Sequence, residues 1–177
     1  MDHQKKEIIS EAKVRWYAVY TRPRAEKLVF KRFEESGIEA FLPMQKTLRQ
    51  WSDRKKIVEK PLLSSYIFVK VNPKHFPWVY KTFGVVKFVT FEGKPVSIPQ
   101  YQIDNLRLLV NSDSEIEVNS VKYEPGDLVE VVSGSLIGLK GELVGKGSGK
   151  RFIIRIEELG KNITVKIPKT FLRKITG

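Results

Sequence analysis

A polar stretch at residues 111–122 divides the chain into two parts with different residue patterns. Before it, runs with the period of strands alternate with runs that have the period of helices. After it, short apolar runs are separated by glycines, and six glycines lie within residues 134–149. Because each glycine inside a helix costs about 1 kcal/mol relative to alanine, the second part is a poor helix former. The division predicts two domains joined by a linker.

The first part, residues 15–110, carries the signals of a sheet with helices packed on it. Residues 16–21 and 65–71 are aromatic and β-branched runs, which are typical of half-buried strands. A helical pattern follows Pro23 over residues 24–36 and ends at a glycine. Along the chain, the predicted order is β-α-β-β-α-β-α. This order over this length predicts a split-βαβ, ferredoxin-like sandwich.

The second part, residues 123–177, predicts a small β-barrel, because its short apolar runs are separated by tight-turn residues. Its four predicted strands are residues 128–132, 140–144, 151–156 and 163–167. Gly134, Gly138 and Gly141 are expected in turns that need a positive φ. The whole chain is therefore predicted to be α+β, with the sandwich first, a linker at residues 111–122, and the barrel last.

Alternation along the two confident strands sorts their side chains onto two faces of the predicted sheet. The face expected against the helices carries Tyr17, Val19, Ile67 and Val69. Tyr20, Tyr66 and Phe68 then lie on the side that no helix covers. An apolar patch of this kind marks a site for a partner protein. The competing interpretation is that these three side chains pack against the linker, the hairpin or the other domain.

Charge is the second constraint on function. The chain has 32 lysine and arginine residues but only 20 aspartate and glutamate residues, which gives a net charge of +12. Residues 1–110 hold 21 of the basic and 11 of the acidic side chains, so most of the excess lies in the first domain. An excess of this size predicts a polyanionic partner. The candidate contacts for single-stranded nucleic acid lie on and just before the first predicted helix: Arg22, Arg24, Lys27 and Lys31.

Two further points about these charges stay open. A basic stripe on a helix is most often a solvated surface, and that alternative applies to the four residues above. A hairpin is predicted between the arms at residues 41–48 and 57–63, and its tip carries four basic residues and Trp51. An exposed tryptophan usually has a partner, but a mobile solubilising loop is the other interpretation of this tip.

Several classes of function are disfavoured by what the chain lacks. It has no cysteine, so it can form neither a disulfide nor a thiolate-ligated metal site. Its two histidines have no metal-binding spacing around them, and the glycine-rich residues 145–150 match neither the P-loop nor the dinucleotide pattern. We therefore expect no catalytic residues, no metal, no cofactor and no enzymatic activity.

The N-terminus and the hydropathy pattern bear on location. Residues 1–14 are polar and mixed in charge, so they predict a frayed lead-in rather than the apolar core of a signal peptide. No apolar run approaches the roughly 18 residues that suggest a membrane span. A cytoplasmic protein without a membrane partner is expected.

Three motifs in the first part resemble the N-terminal domain of the NusG family. They are Trp16-Tyr17-Ala18-Val19-Tyr20, Phe41-Leu42-Pro43 and Ser65-Tyr66-Ile67-Phe68-Val69. In the second part, Pro125-Gly126-Asp127-Leu128-Val129, followed by the three glycines above, is similar to the KOW motif that opens the family's SH3-like C-terminal barrel. Two motif sets in the right order, separated by a linker, make the combination specific.

Within the family, the chain looks more similar to the specialised paralogues of RfaH and UpxY type than to the housekeeping factor. The similarity rests on Phe41-Leu42-Pro43-Met44, the basic hairpin tip and Pro61-Leu62-Leu63. The common family pattern has Pro-Gly just before the second strand, whereas this chain has Ser64-Ser65. That departure argues against the housekeeping role.

The resemblance implies a monomeric transcription elongation and antitermination factor. Its N-terminal domain would bind the clamp helices of RNA polymerase through the open sheet face, at Tyr20, Tyr66 and Phe68, and would suppress pausing and termination. Its KOW barrel would recruit a small-subunit ribosomal protein or a termination factor. The specialised paralogues also read the non-template DNA strand with basic residues near the first helix. The alternative function is an RNA- or ribosome-associated KOW protein that does not bind polymerase.

Overall fold

The computed structural model describes residues 13–176, so nearly all of the predicted frayed lead-in lies outside the described residues. The protein is α+β, as predicted. It forms two compact units, the first made of Met1–Leu42 and Leu63–Gln100 and the second of Pro43–Leu62 and Tyr101–Gly177. These units are not continuous in the chain, so they do not test domain boundaries that were predicted along the sequence. The domain boundaries at residues 110 and 123 therefore stay predictions.

The described residues form three α-helices and fifteen strands, several of them very short. The helices are α1 (Glu26–Glu35), α2 (Phe76–Lys81) and α3 (Gln100–Val110). The strands up to α3 are β1 (Arg15–Thr21), β2 (Glu39–Phe41), β3 (Met44–Gln50), β4 (Lys55–Pro61), β5 (Tyr66–Val71), β6 (Val85–Phe88), β7 (Thr90–Phe91), β8 (Lys94–Pro95) and β9 (Ser97–Ile98). The strands after α3 are β10 (Ile116–Asn119), β11 (Asp127–Val131), β12 (Lys140–Val144), β13 (Arg151–Ile156), β14 (Lys161–Val165) and β15 (Leu172–Lys174).

The first unit is built on an antiparallel sheet of order β2-β5-β1-β6, with β9 also paired to β1. In the β1–β5 register, Val19 lies opposite Ile67 and Tyr20 lies opposite Tyr66. The side chains predicted to face the helices are all in one buried cluster with Val29 and Phe33 of α1. The shared burial of these side chains against α1 confirms the predicted faces of the sheet.

Helix α1 begins at Glu26, two residues later than predicted, because Arg24 adopts a left-handed φ of 64°. The Glu26 carboxylate is buried and accepts a hydrogen bond from the Ser65 backbone N–H at 2.7 Å, which fixes the start of the helix against the sheet. The helix ends before Gly37, whose φ of 71° suits a glycine cap. No helix in the described part of the chain is long and apolar enough to cross a membrane.

The second unit contains a six-stranded antiparallel sheet of order β10-β14-β13-β12-β11-β15. All four predicted barrel strands are present within two residues of their predicted bounds. Two strands were not predicted, β15 near the C-terminus and β10 inside the predicted linker. The hairpin of β3 and β4 belongs to the same unit and forms a separate two-stranded sheet. Trp51 at its tip is 54% exposed.

The three glycines predicted to lie in barrel turns do not share one role. Gly134 and Gly138 have φ values of 84° and 89°, the left-handed conformation predicted for turns. The prediction is wrong for Gly141, which lies inside β12 and has no positive φ. A Cβ atom there would lie 2.5 Å from the Ile153 carbonyl oxygen and 2.6 Å from the Phe152 ring. Close approach of β12 and β13, rather than a turn, explains this glycine.

Candidate functional site

The sheet face away from the helices brings together the three residues predicted to bind a protein. The rings of Tyr20 and Tyr66 lie 4.4 Å apart between centroids, and the Tyr66 hydroxyl donates a hydrogen bond to the Tyr20 hydroxyl. Phe68 stacks on Phe41 of β2 at 6.3 Å. The three side chains therefore line one face, as the alternation predicted.

Their exposure differs from the prediction. Phe68 is fully buried and Tyr66 is 6% exposed, whereas Tyr20 is half-buried. The prediction of an uncovered apolar patch is therefore wrong for Phe68 and Tyr66. Alternation fixes which side of the sheet a residue lies on, but not what packs over it, and the Phe41 ring lies over part of Phe68. Tyr20 keeps access to solvent, and the Lys87 ammonium lies 6.0 Å from its ring centroid.

Burial also affects the ionisation of Tyr66. It raises the pKa of Tyr66 well above its ordinary value, and the hydrogen bond to Tyr20 raises it further. Tyr66 is therefore a neutral hydrogen-bond donor across the physiological pH range. The face presents the rings of Tyr20 and Tyr66, with the cation of Lys87 beside the Tyr20 ring.

The four predicted nucleic-acid contacts point to different neighbours. The Arg22 backbone N–H donates to the Gly84 carbonyl at 2.8 Å, which brings Arg22 beside the end of α2. Arg24 is exposed at the left-handed residue before α1. Lys27 and Lys31 are exposed on α1, and the Lys31 ammonium lies 3.8 Å from the Glu35 carboxylate. The structure therefore joins Arg22 to the segment after α2 and pairs Lys31 with an acidic residue of α1.

Two arginines converge on Phe83, which follows α2. The guanidinium carbons of Arg22 and Arg32 both lie 5.0 Å from the centre of the Phe83 ring. Arg32 Nη1 also donates to the Phe83 carbonyl at 2.7 Å. Although both cations contact it, the Phe83 side chain is 64% exposed. An exposed ring with two guanidinium groups beside it offers a stacking surface and positive charge to a flat, anionic ligand.

A groove of about 410 Å³ begins at this ring and runs between the ends of α1 and α2. We call it the Phe83 groove; it is lined by Arg32, Glu35, Ser36, Ile38, Trp78, Lys81, Thr82 and Phe83. Trp78 is 61% exposed, and the imidazole ring of His75 stacks on it at 5.1 Å. Aromatic faces stack on bases, and arginine and lysine bind phosphate, so this groove can hold an unpaired nucleotide.

Sequence reasoning missed the residues that line this groove. Helix α2 turns Val79 into the core, and that spacing leaves the large neighbouring ring of Trp78 facing outward. This spacing could have been used to predict that Trp78 is exposed. The contact between Arg32 and Phe83 could not have been predicted, because 51 residues separate them along the chain.

Comparison with known proteins identifies the family. The profile described as "Transcription termination factor nusG" matches residues 14–107, more than half of the chain. The chain belongs to the NusG family. NusG of Chlamydia trachomatis, described as a transcription termination/antitermination protein, is 29% identical over 138 residues, which cover 72% of this chain and 75% of the relative. The protein of the same description from Rickettsia bellii is 23% identical over 172 residues, 90% of each chain.

A solved structure supports the fold of this NusG-family chain. The structure of Thermotoga maritima NusG matches 93% of this chain and 98% of its own, with a TM-score of 0.52 and 20% identity. Both candidate surfaces, the sheet face at Tyr20 and the Phe83 groove, lie within the residues that the NusG profile matches. The barrel lies outside that profile.

Proposed function

We propose that this NusG-family protein is a transcription elongation and antitermination factor that binds RNA polymerase through its N-terminal domain. The observation that carries the proposal is the family match over residues 14–107. Bound to polymerase, the factor suppresses pausing and termination, and its KOW barrel recruits a further partner, a ribosomal small-subunit protein or a termination factor. It acts by binding rather than by catalysis, as a monomer without a cofactor, in the cytoplasm.

The polymerase contact is proposed at the accessible edge of the sheet face. Phe68 and Tyr66 are too buried to meet a partner directly, whereas Tyr20 is only half-buried. Lys87 lies beside the Tyr20 ring, so the contact combines an aromatic surface with a cation. The proposed partner surface is the pair of clamp helices, and the buried residues support the Tyr20 ring from below.

Tyr20→Ala is expected to weaken polymerase binding at least tenfold, because tyrosines at the centre of an interface commonly contribute 2 kcal/mol or more. Co-purification of core polymerase with the tagged full-length chain measures the effect. Tyr20→Phe is the matched control, since it keeps the ring and should retain most of the binding. Unchanged recovery of polymerase with Tyr20→Ala would reject this contact. Recovery of ribosomal proteins without polymerase, already with the unaltered chain, would favour the ribosome-associated alternative.

The Phe83 groove is the proposed contact for the non-template DNA strand. Its exposed rings offer stacking surfaces, while Arg22 and Arg32 supply positive charge beside them. Arg24, Lys27 and Lys31 would attract the neighbouring phosphates without reading sequence. Reading a DNA element in this way is what an operon-specific factor of RfaH or UpxY type requires.

Substitutions in the groove separate stacking from charge. Phe83→Leu is expected to weaken binding to a bubble substrate about fivefold to tenfold with an unchanged salt slope, because base stacking contributes about 1–3 kcal/mol per base. Arg32→Gln should weaken binding and also lower the salt slope by about one, since it removes a phosphate contact. Fluorescence anisotropy measures both effects at salt concentrations from about 50 to 300 mM. Over this range, the affinity of the unaltered chain is expected to fall on the order of a hundredfold.

The control for this experiment is Lys169→Gln, which removes an exposed charge from the barrel and leaves the groove intact. It should change neither the affinity nor the slope. If Lys169→Gln and Arg32→Gln have the same effect, binding follows net charge alone and the groove has no specific role.

A further inference from the structure

Strand β10 is an edge strand of the barrel sheet. It pairs antiparallel with β14, from Ile116 opposite Val165 to Asn119 opposite Asn162. No residue of β10 is buried, whereas Ile163 and Val165 of β14 are buried in the barrel. The strand therefore adds only the half-buried side chains of Ile116 and Val118 to the apolar surface of β14, and it completes a row of backbone hydrogen bonds.

Besides this backbone pairing, β10 is held by two half-buried apolar side chains, Ile116 and Val118, and by polar contacts. The Lys166 ammonium lies 2.6 Å from the Glu115 carboxylate, but both side chains are more than 70% exposed. An exposed pair of this kind contributes at most about 1 kcal/mol. Lys161 donates to the Ser120 hydroxyl at 2.9 Å, also at the surface. These surface attachments are easily exchanged for contacts with water or with another chain. Two part-buried hydrogen bonds, from Asn119 Nδ2 to Thr164 Oγ1 at 3.1 Å and from Asn162 Nδ2 to the Val121 carbonyl at 2.7 Å, are the contacts that an incoming strand would have to replace.

A fully buried apolar layer of the barrel lies between β14 and β13. On its other side, β14 pairs with β13, with Ile163 opposite Ile154 and Val165 opposite Phe152, and all four side chains are buried. Removing β10 would uncover the backbone N–H and C=O groups along one edge of β14. It would leave that apolar layer between β13 and β14 in place. An uncovered edge of this type is a template for an incoming strand.

We propose that β10 is a detachable strand which closes the β14 edge, and that the barrel binds its partner by strand exchange at this edge. The occupant is an extended segment of another protein that pairs antiparallel with β14 and carries a carboxylate for Lys166. The chemistry of the occupant is taken from β10 itself, where Glu115 meets Lys166 and the half-buried side chains of Ile116 and Val118 alternate with exposed Glu117. The inference rests on the proposed function only in treating the barrel as the partner-binding module.

Proline at residue 117 tests whether the strand detaches. The Lys166 N–H donates to the Glu115 carbonyl, so Glu117, two residues on, falls in the next hydrogen-bonded pair of the ladder, opposite Thr164. Glu117→Pro removes that donor and should release β10. The probe is a fluorescent synthetic peptide of residues 113–121. It should bind the full-length Glu117→Pro chain at least tenfold more tightly than the unaltered chain, in which the tethered strand competes at millimolar effective concentration.

Controls make each outcome decisive. Glu117→Ala keeps the backbone donor and should bind the peptide as weakly as the unaltered chain. Adding Lys166→Glu to Glu117→Pro should weaken peptide binding again by reversing the charge at the edge. Amide resonances of β12 and β13 report whether the barrel is intact. An intact barrel that gains no affinity overturns the proposal, and so does loss of those resonances, because β10 would then belong to the fold.

Two further measurements separate this proposal from strand exchange between copies of the chain and from the proposed binding of polymerase. Light scattering that shows a Glu117→Pro dimer would mean that copies of the chain exchange strands, and would overturn the assignment of a foreign partner. Polymerase recovery depends on Tyr20, which lies in the other unit. A failure of polymerase binding would therefore refute the proposed function and leave the peptide result unaffected.

Discussion

Phe68→Ala is expected to lower the free energy of unfolding of the first unit by about 3–5 kcal/mol. The Phe68 side chain is fully buried in β5, where it stacks on Phe41 at 6.3 Å. Truncation to a methyl group removes buried apolar surface and leaves a cavity that the sheet cannot close. Urea denaturation followed by the fluorescence of Trp16, buried in the same sheet, measures the loss.

The matched control is Phe68→Leu, which keeps most of the volume and should cost less than half as much. The comparison also decides between two roles for this residue. If Phe68→Ala costs under 1 kcal/mol but abolishes polymerase binding, the ring is an accessible contact, as its position in the sequence first suggested. If both variants lose binding only in proportion to stability, Phe68 supports the face from within.

The predicted faces of the sheet were confirmed, because alternation is a property of the backbone. Tyr17 and Val19 could be assigned to opposite sides from Ala18 and Tyr20 without knowledge of any contact. Exposure could not be predicted in the same way. The cover over Phe68 includes Phe41, whose β2 strand joins the sheet beside β5 through long-range pairing. A pattern within one strand holds no information about that neighbour.

The missed strand β10 has a different physical cause. Residues 111–122 are polar, and strands are predicted from side chains that alternate between core and solvent. An edge strand is held largely by backbone donors and acceptors, and the alternation of Ile116 and Val118 with Glu117 is too short to stand out from its polar surroundings. The same lack of fully buried side chains that hid β10 from prediction makes it detachable in our proposal.

The nucleic-acid site was predicted in the right region but with an incomplete set of residues. A helical wheel groups Lys27 and Lys31, which are on α1 as expected. It cannot show that Gly84 brings the end of α2 close to α1. A Cβ atom at Gly84 would lie 2.6 Å from Cγ2 of Val29, and the residue has a φ of 101°. This close approach is what presents Phe83 to Arg22 and Arg32.

Arg155→Met is expected to destabilise the barrel by about 2–3 kcal/mol, the second large effect. Arg155 binds Glu142 through two hydrogen bonds, Nε to Oε1 at 2.9 Å and Nη2 to Oε2 at 3.0 Å. The side chains are only 21% and 17% exposed, so removing the cation leaves a carboxylate with little access to water. Glu142 also accepts from the Gly126 N–H at 3.2 Å, which ties the KOW turn to β12. Native-state hydrogen exchange of the protected β13 amides measures the loss.

The same ion pair predicts how barrel stability depends on pH. The hydrogen bonds from Arg155, more than that from Gly126, hold the pKa of Glu142 below its ordinary value. A lowered pKa in the folded state stabilises the barrel above the unfolded value, about pH 4.3, and this contribution is lost as the pH falls through the lowered pKa. The unaltered barrel should therefore lose stability more steeply below that pH than Glu142→Gln, which has no carboxylate to protonate. Parallel acid profiles for the two proteins would show that the pair contributes nothing, and Glu117→Ala, which removes an exposed carboxylate, should follow the unaltered profile.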